Sequence, residues 1–387
     1  MHMKTILVVV PSFESGGTVS SLMNFVSLLD KTRYHLSVFA ITNAGPNKKF
    51  IAEHSKIVGD STKVDTKISM VNHVRSRVFG AVKSIKKLLE KFGVDISPLL
   101  FRYYASRIDK KNYDYVLAFQ EGQATLFCSY FKHGFKIAWV RSEYTRFIRT
   151  AKKNYSQVYE KYDRIVSVSM AAMNSFLTVL PQYKDIAVVQ YNFLNKDRIL
   201  QLSKETPDDL WPKDAFTIVT LGRIDPVKRV SYIPQLCREI IDRGFIVRWV
   251  IIGGIAIKEE YLRLLKNIEK YNVEDNIVIM GNKPNPYPYL KHSELLVSLS
   301  VSETFNNTLT EAKILGIPIV TTDYLCAFES VENNRDGLVV SFDSIVSSII
   351  DMISDKERLY TSIKDRLHAY HYDEKALLDQ LYTNVLS

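Results

Sequence analysis

Two short segments in the second half of the chain combine residue types that bind phosphate and hydroxyl groups. In the first, a β-branched run at 217–221 leads into Gly222-Arg223-Ile224-Asp225-Pro226-Val227-Lys228. The glycine lets the chain turn at a strand end, and two cations five residues apart follow. Arginine presents a planar fork to phosphate oxygens, and lysine a mobile point charge. Taken alone, the segment reads equally well as a basic surface loop. In the second, an apolar run at 295–299 is followed by Ser300-Val301-Ser302-Glu303-Thr304-Phe305-Asn306-Asn307-Thr308-Leu309-Thr310-Glu311-Ala312. A helix starting near Asn307 or Thr308 turns its unpaired amides toward an anion placed there. Glu303 in the loop and Glu311 about one turn into the helix can face the same ligand, and a carboxylate accepts paired hydroxyls of a ribose or a sugar. Two glutamates eight apart are elsewhere often just solvated charges. A strand–loop–helix setting with two nearby cations favours a site for a nucleotide diphosphate that carries a polyol.

Loops of this kind need strands to carry them. Short β-branched runs occur at 6–10, 36–41, 115–119, 137–140, 165–168 and 187–190. A second series lies at 217–221, 247–252, 277–280, 295–299, 317–321 and 338–340. Apolar strands alternating with amphipathic helices mark parallel sheets covered on both faces. Two series predict an α/β chain of two Rossmann-like, doubly wound domains, and 387 residues suit two cores better than one. The expected division is 1–195 plus a closing helix at 373–387, a linker at 196–215 where apolar periodicity lapses around Pro207 and Pro212, and 216–372. Ligands of open parallel sheets bind at the carboxyl ends of strands, so a cleft between two facing sheets is the expected site.

The segments resemble the retaining family-4 glycosyltransferases of the GT-B fold, with their G-R-x-x-x-x-K loop and E-x7-E motif. Gly316-Ile317-Pro318-Ile319-Val320-Thr321 is similar to that family's G-x-P-V-V strand, and Asp336-Gly337-Leu338-Val339-Val340 to its N-G-L-L-V turn. Near the N-terminus, Ser15-Gly16-Gly17-Thr18 resembles its Gly-Gly loop. The resemblance implies that Arg223 and Lys228 neutralise the donor diphosphate as it leaves. Glu303 then contacts the donor sugar, Glu311 holds the ribose, and Asn307 and Thr308 present amides to phosphate. Gly16 and Gly17 let the backbone come close to the donor. It further implies front-face transfer with retention of configuration, a diphosphate oxygen taking the acceptor proton, and catalysis by positioning and electrostatics. The family often has a histidine after a middle strand of the first domain, where this chain has Arg141; glycines after the first glutamate, where it has Thr304, Phe305 and Asn306; and glycine after the lysine, where it has Arg229. A group that stays protonated cannot be a base, so Arg141 is expected to bind donor or acceptor.

Several classes are disfavoured. Cys128, Cys237 and Cys326 have no C-x-x-C spacing, which predicts neither a disulfide framework nor a zinc site and fits a reducing cytoplasm. No Asp-x-Asp motif ends a strand, and His368 and His371 sit in a tyrosine-rich tail. No metal and no other cofactor is therefore expected, the nucleotide sugar being a substrate. Arg223 and Lys228 supply the charge that a cation supplies elsewhere. Gly253-Gly254 reads as a tight turn rather than a full dinucleotide fingerprint. The run at 6–10 is far short of the ~18–20 apolar residues of a membrane span, and reads as neither signal peptide nor anchor. A sugar-nucleotide epimerase of the same fold is the nearest alternative, and E-x7-E favours transfer over it. A basic nucleic-acid-binding or anion-binding protein without catalysis is a second, suggested by a pI of about 9.1 but lacking a recognisable binding module.

Charge is unevenly placed. Residues 1–200 hold 30 Lys and Arg against 15 Asp and Glu, whereas the remainder holds 21 against 27. A basic half implies an anionic partner. At 74–92, Val74, Val78, Val82, Ile85, Leu89 and Phe92 recur at helical spacing, with Arg75, Arg77, Lys83, Lys86, Lys87 and Lys91 around them. Such a helix either packs on a core with a solvated basic face or lies on anionic lipid. Arg141, Arg146, Arg149, Lys152 and Lys153 form a second basic run, and Glu121 follows the run at 115–119, where it either touches an acceptor or is an ordinary polar loop residue. The expected partners are thus a nucleotide-sugar donor (UDP-linked favoured), a glycan or lipid-linked acceptor and an anionic membrane surface, with no nucleic acid. The expected place is the cytoplasm, peripheral to the inner face of the plasma membrane. Flotation with anionic liposomes at low salt is expected to carry the protein upward, and a protein that stays at the bottom removes the lipid reading of 74–92.

Overall fold

Ile6, Leu7, Val8, Val9 and Val10 are all fully buried, although consecutive residues of a strand point to opposite faces. A strand buried on both faces belongs inside a parallel sheet with helices on either side, and the computed structural model has two such sheets. It describes residues 3–14, 16–58, 97–151, 155–207 and 209–387. The basic stretch 74–92, like Ser15, Lys152 and Lys153, lies outside the described residues.

The chain divides into two units, one of Met1–Val168, Met173–Gln190 and Leu378–Ser387, the other of Ser169–Ala172 and Tyr191–Leu377. In the first, β1 (Lys4–Ser12), β2 (Tyr34–Thr42), β3 (Lys56–Ile57), β4 (Tyr115–Ala118), β5 (Phe135–Val140), β6 (Arg164–Ser167) and β7 (Ala187–Val189) form an all-parallel sheet in the order 3-2-1-4-5-6-7. In the second, β8 (Phe216–Leu221), β9 (Val247–Ile252), β10 (Ile277–Gly281), β11 (Leu295–Ser298), β12 (Ile319–Thr322) and β13 (Gly337–Val340) are parallel in the order 10-9-8-11-12-13. Both are doubly wound α/β sheets. The order reverses between β1 and β4 in one and between β8 and β11 in the other. These switch points are where loops splay apart and ligands bind.

The short strand β3 has no counterpart among the sequence-derived runs, because two residues are too few for a period to show. Residues 196–215, read from the sequence as a linker, carry the helix Lys196–Leu202 within the second unit. Asn195 caps it, its Oδ1 accepting from Arg198 N at 2.9 Å. Ile199 packs there with Leu194 and Tyr372, and Trp211 stacks on Tyr289 at 6.3 Å. Buried contacts this sparse leave no sequence period. The tail continues through the helix Glu374–Gln380 and a wider turn, Leu381–Val385, back into the first unit. There Asp30 N donates to the Tyr382 hydroxyl at 3.0 Å, and the Tyr115 hydroxyl to Leu386 O at 2.7 Å.

In the second sheet, β8, β9 and β10 stay paired past their ends through glycine backbones. Gly222 N donates to Ile252 O at 3.0 Å, Gly253 N to Gly281 O at 2.8 Å, and Ile224 N to Gly254 O at 2.9 Å. A Cβ on Gly253 would lie 1.8 Å from the Gly222 carbonyl oxygen. The Gly253-Gly254 pair is thus a close approach of two backbones. Gly253→Ala is expected to cost at least about 3 kcal/mol, because backbone rather than a pliant side chain must move. Chemical unfolding checks this, and a variant within 1 kcal/mol of wild type, on the scale of ordinary surface changes, would show that the two strand ends can separate freely.

Candidate functional site

Asp225 sets the shape of the loop after β8. Its side chain accepts from Lys228 N at 3.1 Å and caps the turn Pro226–Lys228, and its other oxygen lies 3.5 Å from Arg223 Nη2. Proline in the first position of that turn has its φ preset. Arg223 is left mostly exposed, whereas Lys228 is folded back beside Gly222, where an added Cβ would sit 3.4 Å from Lys228 Cε. Arg229 takes a left-handed conformation (φ 50°), and its guanidinium stacks over Phe342 at 4.6 Å. That backbone is the reason glycine suits this position, and the stacking is what arginine gains there.

The loop after β11 is fastened to the first one. Val301 N donates to Val227 O at 2.8 Å, and the Thr322 hydroxyl donates to Ser300 O at 2.6 Å. Glu303 Oε1 accepts from both the Ser300 hydroxyl, at 2.8 Å, and the Lys228 ammonium, while Cys326 Sγ donates to the Glu303 carbonyl at 3.2 Å. Lys228 and Glu303, adjacent in no sequence sense, therefore form an ion pair at the switch point.

The helix that follows is Asn307–Ile314, and its cap is Asn306, whose Oδ1 accepts from Thr308 N at 3.2 Å. The amide of Thr308 thus already has an internal acceptor. Asn306 is buried and also donates to the Tyr324 hydroxyl and to Ser298 Oγ, both at 3.3 Å. Asn307 Oδ1 accepts from Asn192 Nδ2 at 3.0 Å. Glu311, one turn on, is 8% exposed. Burial pushes its carboxyl up to about 7 from an ordinary 4.5, and the Tyr287 hydroxyl, 3.3 Å from Oε1, offsets this only in part.

In the first unit, Gly16 precedes the helix Gly17–Leu28, and an added Cβ on either glycine would meet nothing within 4 Å. Packing therefore imposes no glycine there, and the backbone is open to approach. Glu121 and Arg141 follow β4 and β5. The buried Glu121 carboxylate accepts from Arg141 N at 2.7 Å and from the Ser142 hydroxyl. Burial raises its pKa, with Arg141 opposing the rise. Arg141 Nε donates to Phe119 O at 2.9 Å, and the guanidinium lies 4.0 Å from the Phe119 ring centre and 5.3 Å from that of Trp139. Burial draws its pKa down to about 9, which leaves it a cation at neutral pH.

Among the described residues no group of three or more His, Cys, Asp or Glu is placed to hold a metal ion. Nor is any helix among them long and apolar enough to cross a membrane.

Residues 203–367 match the family model described as glycosyl transferases group 1. Over that stretch the chain resembles the group 1 glycosyltransferases. Arg223, Lys228, Glu303, Asn307, Thr308 and Glu311 all fall within the matched residues. Among its relatives, the N-acetylgalactosamine-N,N'-diacetylbacillosaminyl-diphospho-undecaprenol 4-alpha-N-acetylgalactosaminyltransferase of Campylobacter jejuni is 27% identical over 215 residues, 54% of this chain and 56% of that one. The N-acetyl-alpha-D-glucosaminyl L-malate synthase of Bacillus anthracis is 23% identical over 223 residues, 56% of each. The chain thus spans about half the length of the curated relatives it matches. Similarity of fold runs the whole length. Anabaena HepE, solved with UDP, superposes with a TM-score of 0.74 at 15% identity, covering 99% of this chain and 100% of that one. Staphylococcus aureus TarM, solved with UDP and sugar ligands, does so with a TM-score of 0.70 at 14% identity, covering 100% of both chains.

Several residues that shape this cluster carry weak sequence signals or none. Asp225, three before Lys228, has the spacing of a side-chain cap, and Asn306 was one of two adjacent asparagines able to cap the helix. Tyr287 and Tyr324 come from other elements, and no local pattern points to them. The raised pKa of Glu311 has a consequence for folding. Below about pH 4.5 the carboxyl is protonated in both folded and unfolded chains, and above about pH 7 the folded chain must carry a buried anion. This group therefore lowers stability as pH rises between those values. Glu311→Gln is expected to gain on wild type by up to about 3 kcal/mol between pH 5 and pH 8, as read by urea unfolding. An equal difference at both pH values would show that the carboxyl titrates normally.

Proposed function

We propose that the chain is a retaining glycosyltransferase that moves a sugar from a nucleotide diphosphate sugar, UDP-linked by preference, to a glycan or lipid-linked glycan acceptor in cell-surface polysaccharide synthesis, with no metal ion. The observation that carries this reading is the clustering at one switch point of two cations, a carboxylate paired to one of them, and a helix with a second, buried carboxylate. That helix also offers its N-terminal amides, for which phosphate is a natural partner.

In this proposal Arg223 and Lys228 neutralise the diphosphate, and their positive charge grows in value as the bond to the sugar breaks and charge builds on the leaving oxygen. Asn307 and Thr308 offer amides, with Asn306 yielding that of Thr308 to the ligand. Glu311 accepts the ribose hydroxyls, and Glu303 the hydroxyls of the donor sugar. A diphosphate oxygen takes the acceptor proton on the face where the bond breaks, which retains configuration. No protein base is then needed beside the reacting carbon. From the first unit, Gly16 and Gly17 offer open backbone to the donor phosphates, and Arg141, with Glu121 fixing its backbone, binds an anionic group of donor or acceptor. The UDP bound to HepE and the diphospho-undecaprenol in the name of the Campylobacter relative support a UDP-sugar donor and a lipid-linked acceptor. We place the enzyme in the cytoplasm, at the inner face of the membrane, where such an acceptor is presented.

The test is a screen of UDP-, GDP- and TDP-sugars with and without EDTA, following release of the nucleoside diphosphate. One donor is expected to turn over, to tolerate EDTA, and to lose roughly a hundredfold or more in Lys228→Ala and Glu311→Ala. If no donor turns over and no nucleoside diphosphate raises the melting temperature, the reading of this site is wrong.

A further inference from the structure

Lys228 and Glu303 are the charged groups that the proposed donor needs for its phosphate and its sugar, and in the structure each is occupied by the other. Their side chains are 20% and 17% exposed, so water and salt screen the pair only weakly. The arrangement is held from several directions. Asp225 caps the Lys228 amide, the Ser300 hydroxyl donates to the same Glu303 oxygen at 2.8 Å, and the Val301–Val227 hydrogen bond ties the two loops together. Phe305, on the loop between Glu303 and the helix, lies 6.1 Å from the Tyr191 ring.

A diphosphate arriving alone has to take the ammonium from Glu303, and it leaves a shielded carboxylate beside its own negative charge. A diphosphate that carries a sugar brings hydroxyls, which donate to that carboxylate as the ammonium turns to phosphate. We infer that Glu303 is a specificity-determining residue that makes the site prefer a nucleotide sugar to the bare nucleoside diphosphate. The same exchange runs in reverse after transfer. Once the sugar has left, Glu303 regains Lys228 and favours departure of the product. This rests on the donor-site reading of the preceding section and adds to it how substrate and product are told apart.

The test is calorimetric titration of the full chain with UDP, GDP and TDP in turn, for wild type, Glu303→Gln, Lys228→Met and the double variant. The nucleotide that binds wild type is expected to bind Glu303→Gln roughly tenfold tighter, although this variant is impaired in sugar transfer. The gain is expected to vanish in the Lys228→Met background, because the competition being relieved is for that ammonium. Should Glu303→Gln not fold, Glu303→Ala removes the carboxylate outright and is expected to give a gain of the same sign. If a nucleotide binds wild type but neither variant gains, or if the gain persists without Lys228, the inference falls while the donor site stands. If no nucleotide binds wild type, the donor-site reading falls, and the inference with it.

Discussion

The carbonyl of Gly222 rests against the Cα of Gly253, leaving no room for a single carbon between them. This close approach lets β8 and β9 continue their pairing beyond the sheet, so the loop bearing Arg223 and Lys228 leaves the strand end in one direction. Asp225 then turns that loop, and Val301 ties it to the loop from β11. If the two glycine backbones stood a few tenths of an ångström farther apart, the hydrogen bonds from Gly222 and Ile224 would lengthen. Binding sites work best when their groups are held by rigid elements, and here a backbone contact provides the rigidity.

Buried or shielded charge recurs at the carboxyl ends of both sheets, handled differently in each. In the second unit Lys228 and Glu303 neutralise one another, while Glu311 has only the Tyr287 hydroxyl and bears the cost of burial as a raised pKa. In the first, Arg141 is flanked by the faces of Phe119 and Trp139 and keeps its charge despite burial, with Glu121 fastened to its backbone amide. A charge kept out of water without full compensation is poorly stabilised until something arrives to interact with it. Such groups are more common at binding sites than in structural cores. Each unit thus holds a partly desolvated charge at the carboxyl end of its sheet.

Twelve of the thirteen strands were legible because a parallel strand covered on both faces must be a nearly continuous apolar run, as 6–10 and 115–119 are. The G-R-x-x-x-x-K and E-x7-E spacings were legible because each lies within one loop or one loop and helix. Asn306 as the cap was not separable from Asn307, since the two share a side chain and differ only in backbone conformation. The helix Lys196–Leu202 escaped because its few buried residues reach Leu194 and Tyr372 rather than one another. Tyr287 stands 24 residues before Glu311 on a separate element, and nothing in either local sequence points to the other.

By itself, the amino-acid sequence determined the class of fold, the two series of strands, and which loops carry the cations and carboxylates of the candidate site. These properties follow from short-range patterns of side-chain polarity and backbone preference. The tertiary structure decided that Lys228 pairs with Glu303, that Glu311 is desolvated, that Glu121 supports Arg141, and that Gly253 admits the Gly222 carbonyl. Each depends on distances between elements far apart in the chain. Electrostatic energy and steric exclusion are functions of those distances, and only the packed sheets supply them.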